Sequence, residues 1–154
     1  MNGFLLDTNH CTWLIEGYPD VIQHLHDHWH EPIVTSVIVQ GELVFMARNS
    51  GRIQENLNRV NAFLQGIEVV PVDPDTAVYY GDLKASLMAH FGPRAGVKRR
   101  KIETRQLGFE ENDLWIAAVA LRHGLTVVTA DRDFTRIAEV VDISVERWWR
   151  PEPK

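Results

Sequence analysis

Short apolar runs recur along this 154-residue chain, each followed by a stretch with apolar residues at helical spacing. The runs are GFLL at 3–6, PIVT at 32–35, IEVVPV at 67–72 and TVVTA at 126–130. A strand with one face in water alternates apolar and polar residues, whereas a strand covered on both faces reads as a near-continuous apolar run. Runs of the second kind that alternate with helices imply a parallel sheet between helical layers. A last short strand is expected around Ile143–Val145. The reading is an α/β fold with a central parallel sheet of four to five strands flanked by helices, spanning 1–154 as one domain.

The helical stretches carry their own punctuation. TNHCTWLIEG has Leu14 and Ile15 at helical spacing from Cys11 and a stop at Gly17; Pro19 opens the next stretch. Ser36 is an N-cap candidate for VIVQGELVFMARNSG, which is apolar nearly all round and so expected to be largely buried, with an end at Gly51. Residues 52–65 place Ile53, Leu57, Val60 and Leu64 on one face. A helix from Asp75 to about His90 has Ala77, Leu83 and Leu87 as core candidates. Asn112 or a nearby acid is expected to cap DLWIAAVALRHG, and DRDFTRIAEV begins the last helix.

In open parallel sheets, sites lie beyond the C-terminal ends of the strands. Asp7 and Asp131 stand there directly, Glu42 follows the second strand by about two turns, and Asp113 begins a helix. Each acid alone has an ordinary explanation as a cap, a macrodipole partner or a solvent-facing group. Gathered at one point they would repel, by about 4 kcal/mol for two unit charges 4 Å apart at an effective dielectric near 20. A site that collects them needs a cation, and an all-oxygen donor set suits Mg²⁺, with Mn²⁺ possible. Asp133 competes with Asp131, and one of the two is expected to cap the following helix.

Net charge is −5, which excludes a protein that coats nucleic acid by bulk charge. The charge is uneven. Residues 93–108 hold Arg94, Lys98, Arg99, Arg100, Lys101 and Arg105 against Glu103 alone, so the remainder is markedly acidic. Such a segment beside an acidic site would help to hold a polyanion such as RNA, although charge runs are usually solvated surface. Cys11 is the only cysteine, so no internal disulfide forms, no run approaches the ~18 apolar residues of a membrane span, and the N-terminus lacks signal-peptide features. These features point to the cytoplasm and away from a membrane. His24, His26, His28 and His30 have i,i+4 spacing that can hold Zn²⁺, but with no third ligand evident a solvated helix end is favoured. Trp148 and Trp149 are read as a C-terminal segment packed on the body or on a second subunit, ahead of base stacking.

LLDTN near the N-terminus, a Glu in the helix after a VTS-type strand, NDLWIAAVALRHG and TADRDF, in that order, resemble a PIN-domain ribonuclease, most nearly the VapC toxins of toxin–antitoxin pairs. The likeness covers nearly the whole chain. It implies a three-layer α/β/α fold and a metal-dependent endoribonuclease acting through a metal-activated water. It implies an acidic quartet of Asp7, Glu42, Asp113 and Asp131 or Asp133, with Thr8 as the polar neighbour of the first Asp. It also implies an RNA substrate, an antitoxin partner and a homodimer. The basic segment at 93–108 is longer than the loop usual in that family. Two other readings are a non-catalytic RNA-binding module and a phosphatase with an aspartyl nucleophile. The second of these wants Asp where Asn9 stands.

Overall fold

The computed structural model describes residues 3–93 and 103–150. In chain order the elements are β1 (Phe4–Leu6), α1 (Thr8–Glu16), α2 (Pro19–Asp27), β2 (Ile33–Ser36), α3 (Val37–Arg48), α4 (Ile53–Gln65), β3 (Glu68–Val70) and α5 (Pro74–Phe91). A 3-10 turn (Thr104–Leu107), α6 (Glu111–His123), β4 (Thr126–Val128), α7 (Arg132–Ala138) and β5 (Val145–Glu146) follow. The five strands form one parallel sheet in the order β3-β2-β1-β4-β5. Successive strand residues point to opposite faces. Leu5 and Leu6 are both fully buried, as are Val127 and Val128, so both faces are covered. The seven α-helices among the described residues supply that cover in a three-layer α/β/α arrangement.

The sequence punctuation acts through identifiable bonds. Ser36 caps α3 by accepting from the Val39 N–H at 3.2 Å. Asp73 caps α5 by accepting from both the N–H and the hydroxyl of Thr76 at 2.7 Å. Gly17 ends α1 in the left-handed region at φ 82°, where a side chain would be strained. The C-terminal segment packs on the body as expected. Trp148 is buried and stacked on the rings of His24 and His28, and Trp149 stacks on Trp13 with centroids 4.8 Å apart. Two members of the histidine cluster therefore serve as a stacking surface.

Three expectations are corrected. α3 is not largely buried: Phe45 and Met46 are 67% and 46% exposed, and Val37 is exposed too. Its apolar circumference reflects two apolar faces, of which this chain covers one. Ala77 is exposed, while Leu83 and Leu87 are core. α3 stops at Arg48, short of Gly51. The last strand is present at Val145–Glu146, overlapping the expected place at Val145, with its register set by the pairing of Val127 with Val145.

Candidate active site

The chain builds outward from β1 to β2 and β3, then returns across β1 to β4 and β5. The direction of winding reverses between β1 and β4, and the crevice beyond those two strand ends is where open α/β sheets bind ligands. Asp7 follows β1 and Asp131 lies three residues beyond β4. Glu42 reaches in from α3, and Asp113 stands in the first turn of α6. Four carboxylates from four parts of the chain thus share one neighbourhood: Asp7 feels the charges of Glu42 and Asp131, and Asp113 feels those of Asp7, Asp131 and Glu42.

Asp7 is buried and held on both oxygens. Its Oδ1 accepts the Thr8 N–H at 2.7 Å, capping α1, and its Oδ2 accepts the Thr129 hydroxyl at 2.7 Å. Burial pushes its pKa up to about 6 against the pull of those two bonds, and Glu42 and Asp131 push in the same direction as burial. Thr8 has two roles. Its N–H holds Asp7 Oδ1, while its hydroxyl donates to Glu42 Oε2 at 2.8 Å. The first Asp and the α3 Glu are thereby joined through one residue.

Asp113 is buried, and its Oδ2 has no hydrogen-bond partner. Desolvation, the charges of Asp7 and Asp131 and a hydrogen bond with Asp131 push its pKa up to about 8. Glu110 occupies the cap position of α6 without a side-chain cap bond, so neither Asn112 nor Asp113 is the cap. Asp131 is the residue that caps α7, accepting from the Asp133 N–H at 2.9 Å, yet it also faces Asp113 and Asp7. Asp133 pairs with Arg136 at 3.5 Å, and burial with the charge of Asp131 raises its pKa. Asp113, Asp131 and Asp133 each offer an oxygen within 4.8 Å of the others, the one such metal-competent group among the described residues; Asp7 and Glu42 stand outside it.

This arrangement fits a hard divalent cation. The donors are all oxygen, one buried carboxylate oxygen lacks any partner, and two acids hold protons well above the ordinary carboxylate range. A cation would replace those protons.

Arg94, Lys98, Arg99, Arg100 and Lys101 lie outside the described residues. Arg105 is exposed on the 3-10 turn, within 4.0 Å of Glu103. With Lys84, Glu110 and Glu111 it lines a cleft of about 460 Å³ beside the start of α6. Sequence reasoning gave no role to Asn9, His10 or Thr129, whose side chains link into Asp7. Thr129 was the legible one of the three. Leu6 pairs with Val128, so Asp7 and Thr129 each stand one step past paired strand ends.

The PIN-domain family model matches residues 4–140, and the chain belongs to the PIN-domain family. It is 31% identical over 149 residues to the tRNA(fMet)-specific endonuclease VapC of Salmonella typhimurium, covering 96% of this chain and 99% of that protein. Ribonuclease VapC2 of Rickettsia felis is 27% identical over 148 residues, covering 94% and 97%. The crystal structure of DNA-bound VapBC from Salmonella typhimurium superposes with a TM-score of 0.75 at 27% identity, covering 97% of this chain and 100% of that one.

Proposed function

We propose that this chain is a metal-dependent endoribonuclease, the toxin of a toxin–antitoxin pair, and that Asp7, Glu42, Asp113 and Asp131 hold its cation. The observation that carries the reading is the convergence of those four acids at the sheet's switch point, where burial and mutual repulsion raise the pKa of Asp7 to about 6 and that of Asp113 to about 8. The preferred ion is Mg²⁺, with Mn²⁺ as a substitute, because both take oxygen donors. A cation bound there supplies activation of water and neutralisation of charge on the scissile phosphodiester.

The protein's own part is orientation. Thr8 and Thr129 fix the two oxygens of Asp7, and the Thr8 hydroxyl fixes Glu42. Asp131 is held by its cap bond and Asp133 beside it is braced by Arg136; in this reading one of the two orients the attacking water or holds a second ion. Hydrolysis by water leaves a 5′-phosphate and a 3′-hydroxyl. The Salmonella relative is a tRNA(fMet)-specific endonuclease, which makes a tRNA the first substrate to test.

RNA is taken to be gripped by the basic segment, through Arg94, Lys98, Arg99, Arg100, Lys101 and Arg105. An antitoxin chain is the expected partner, an Arg or Lys of which would enter the acidic crevice in place of the cation. A homodimer, one domain over 1–154 with a basic insertion at 93–108, and a cytoplasmic setting complete the reading. No helix among the described residues is long and apolar enough to cross a membrane.

The test is Asp7→Asn, read by Mg²⁺-dependent cleavage of tRNA and by circular dichroism. The expected result is a folded protein with cleavage reduced by roughly a thousandfold or more, the equivalent of several kcal/mol of lost charge stabilisation. Undiminished cleavage would remove Asp7 from the site. A wild type that binds RNA but shows neither EDTA-sensitive cleavage nor stabilisation by Mg²⁺ would favour the non-catalytic RNA-binding reading.

A further inference from the structure

His10 is fully buried in α1, one turn along the helix from Asp7 and facing the C-terminal segment. Its Nε2 accepts the backbone N–H groups of Trp148 at 3.1 Å and Trp149 at 3.2 Å. A ring nitrogen that accepts carries no proton, so the proton is on Nδ1. Nδ1 lies 2.6 Å from Asn9 Oδ1. That oxygen also faces the Ala130 N–H at 3.4 Å, and a backbone N–H only donates, which fixes Oδ1 as the acceptor and Nδ1–H as the donor.

The direction continues. Asn9 Nδ2 donates to Thr129 Oγ1 at 3.4 Å, and the Asp131 N–H donates to the same oxygen at 3.0 Å. The hydroxyl proton of Thr129 is then directed to Asp7 Oδ2, 2.7 Å away. Backbone donors at Trp148, Trp149, Ala130 and Asp131 therefore set every donor and acceptor in the series, and only the neutral Nδ1–H form of His10 satisfies it. A chain of this kind transmits orientation, since a flipped amide or the other tautomer would bring two donors or two acceptors face to face.

We propose that His10 is a positioning residue of the acidic site: anchored by the backbone of Trp148 and Trp149, it fixes the Asn9 amide and through Thr129 the orientation of Asp7. Docking of the C-terminal segment and assembly of the site are then one event. The proposal rests on the reading of Asp7 as a cation ligand, and it assigns to residues 148 and 149 a role their packing alone does not require. Groups behind a ligand commonly contribute tenfold to a hundredfold to metal affinity or turnover.

The experiment uses the full chain. Long-range ¹⁵N–¹H spectra of the wild type are expected to show His10 with Nδ1 protonated and Nε2 bare; the opposite tautomer overturns the proposal. His10→Gln keeps an acceptor for the Trp148 and Trp149 N–H groups and loses the donor to Asn9, whereas His10→Phe fills the ring volume and loses both. In His10→Gln the expected results are a moved Asp7 ¹³Cγ resonance, Mg²⁺ affinity weaker by roughly tenfold or more in calorimetry, and kcat lowered with KM nearly unchanged. Wild-type values of the Asp7 resonance and of Mg²⁺ affinity in His10→Gln would leave His10 as core packing only. Failure of His10→Phe to fold leaves the spectra and His10→Gln to decide. If the wild type itself binds no Mg²⁺, the cation reading fails, while the tautomer and the Asp7 resonance still decide the linkage.

Discussion

The cost of gathering the acids shows at Asp113 and at Asp7. Asp113 is buried, one of its oxygens has no partner, and its pKa is pushed up to about 8, with Asp7 following at about 6. Both values are raised from an ordinary 3.8. Between those limits the folded protein binds more protons than the unfolded chain, so stability falls as pH rises. That contribution is complete below about pH 4 and is lost as pH passes through 6 and then 8. Without metal, the melting temperature is expected to fall between pH 4 and 8, at ~2–4 °C per kcal/mol for a domain of this size. Saturating Mg²⁺ should flatten that slope, because it competes with the same protons. Asp113→Asn should raise the metal-free melting temperature at pH 8 and abolish the gain from Mg²⁺. A scanning-calorimetry series across pH, with and without Mg²⁺, checks both.

Between elements, Arg136 does more than its place on α7 suggests. Its guanidinium donates to the carbonyls of Leu107 at 2.9 Å and Gly108 at 3.3 Å, and lies over the rings of Phe91 and Phe109. One side chain thus ties α7, α5 and the turn that leads into α6, and through Asp133 it touches the acidic crevice. Arg136→Ala should cost about 2–3 kcal/mol, from two carbonyls left without a partner and two lost cation–π contacts. Urea unfolding at unchanged slope would measure it. A loss below about 0.5 kcal/mol would mean solvent replaces these contacts. None of this was legible from the sequence, since a lone Arg in a short helix carries no pattern. The elements themselves were legible because their signals are local: Ser36 before Val37, Gly17 after Glu16, apolar runs of strand length. Asp7 and Asp131 were legible as positions beyond strand ends. That Thr8 holds Glu42 and that Asp131 both caps and faces Asp113 depend on contacts more than 30 residues apart in sequence or on side-chain direction, which periodicity does not encode. The exposed second face of α3 was read as core because a helix apolar all round looks the same whether one chain covers it or two.

For the whole molecule, that face is the surface on which the proposed dimer can be tested. Phe45 and Met46 on α3 and Ile53 at the start of α4 expose apolar surface of the kind that second copies cover. Phe45→Glu should convert a dimer to a monomer in sedimentation equilibrium with little change in monomer fold; an unchanged mass would place the interface elsewhere. The charge asymmetry makes a separate prediction. Replacing Lys98, Arg99, Arg100 and Lys101 by Ala should weaken RNA binding and lower the dependence of log K on log salt by about 0.7 for each phosphate contact removed from a single strand. Filter binding across salt concentrations would show it, and an unchanged slope would make the segment solvated surface. The stack of Trp149 on Trp13, at 4.8 Å and 26°, has a consequence of another kind. Two indoles this close share their electronic excitation, so the intact protein should carry a paired positive and negative band in its ultraviolet circular dichroism. That optical signal would vanish when the last residues detach, even while the helices remain, and so would let a spectrometer follow the chain's end separately from the unfolding of the rest.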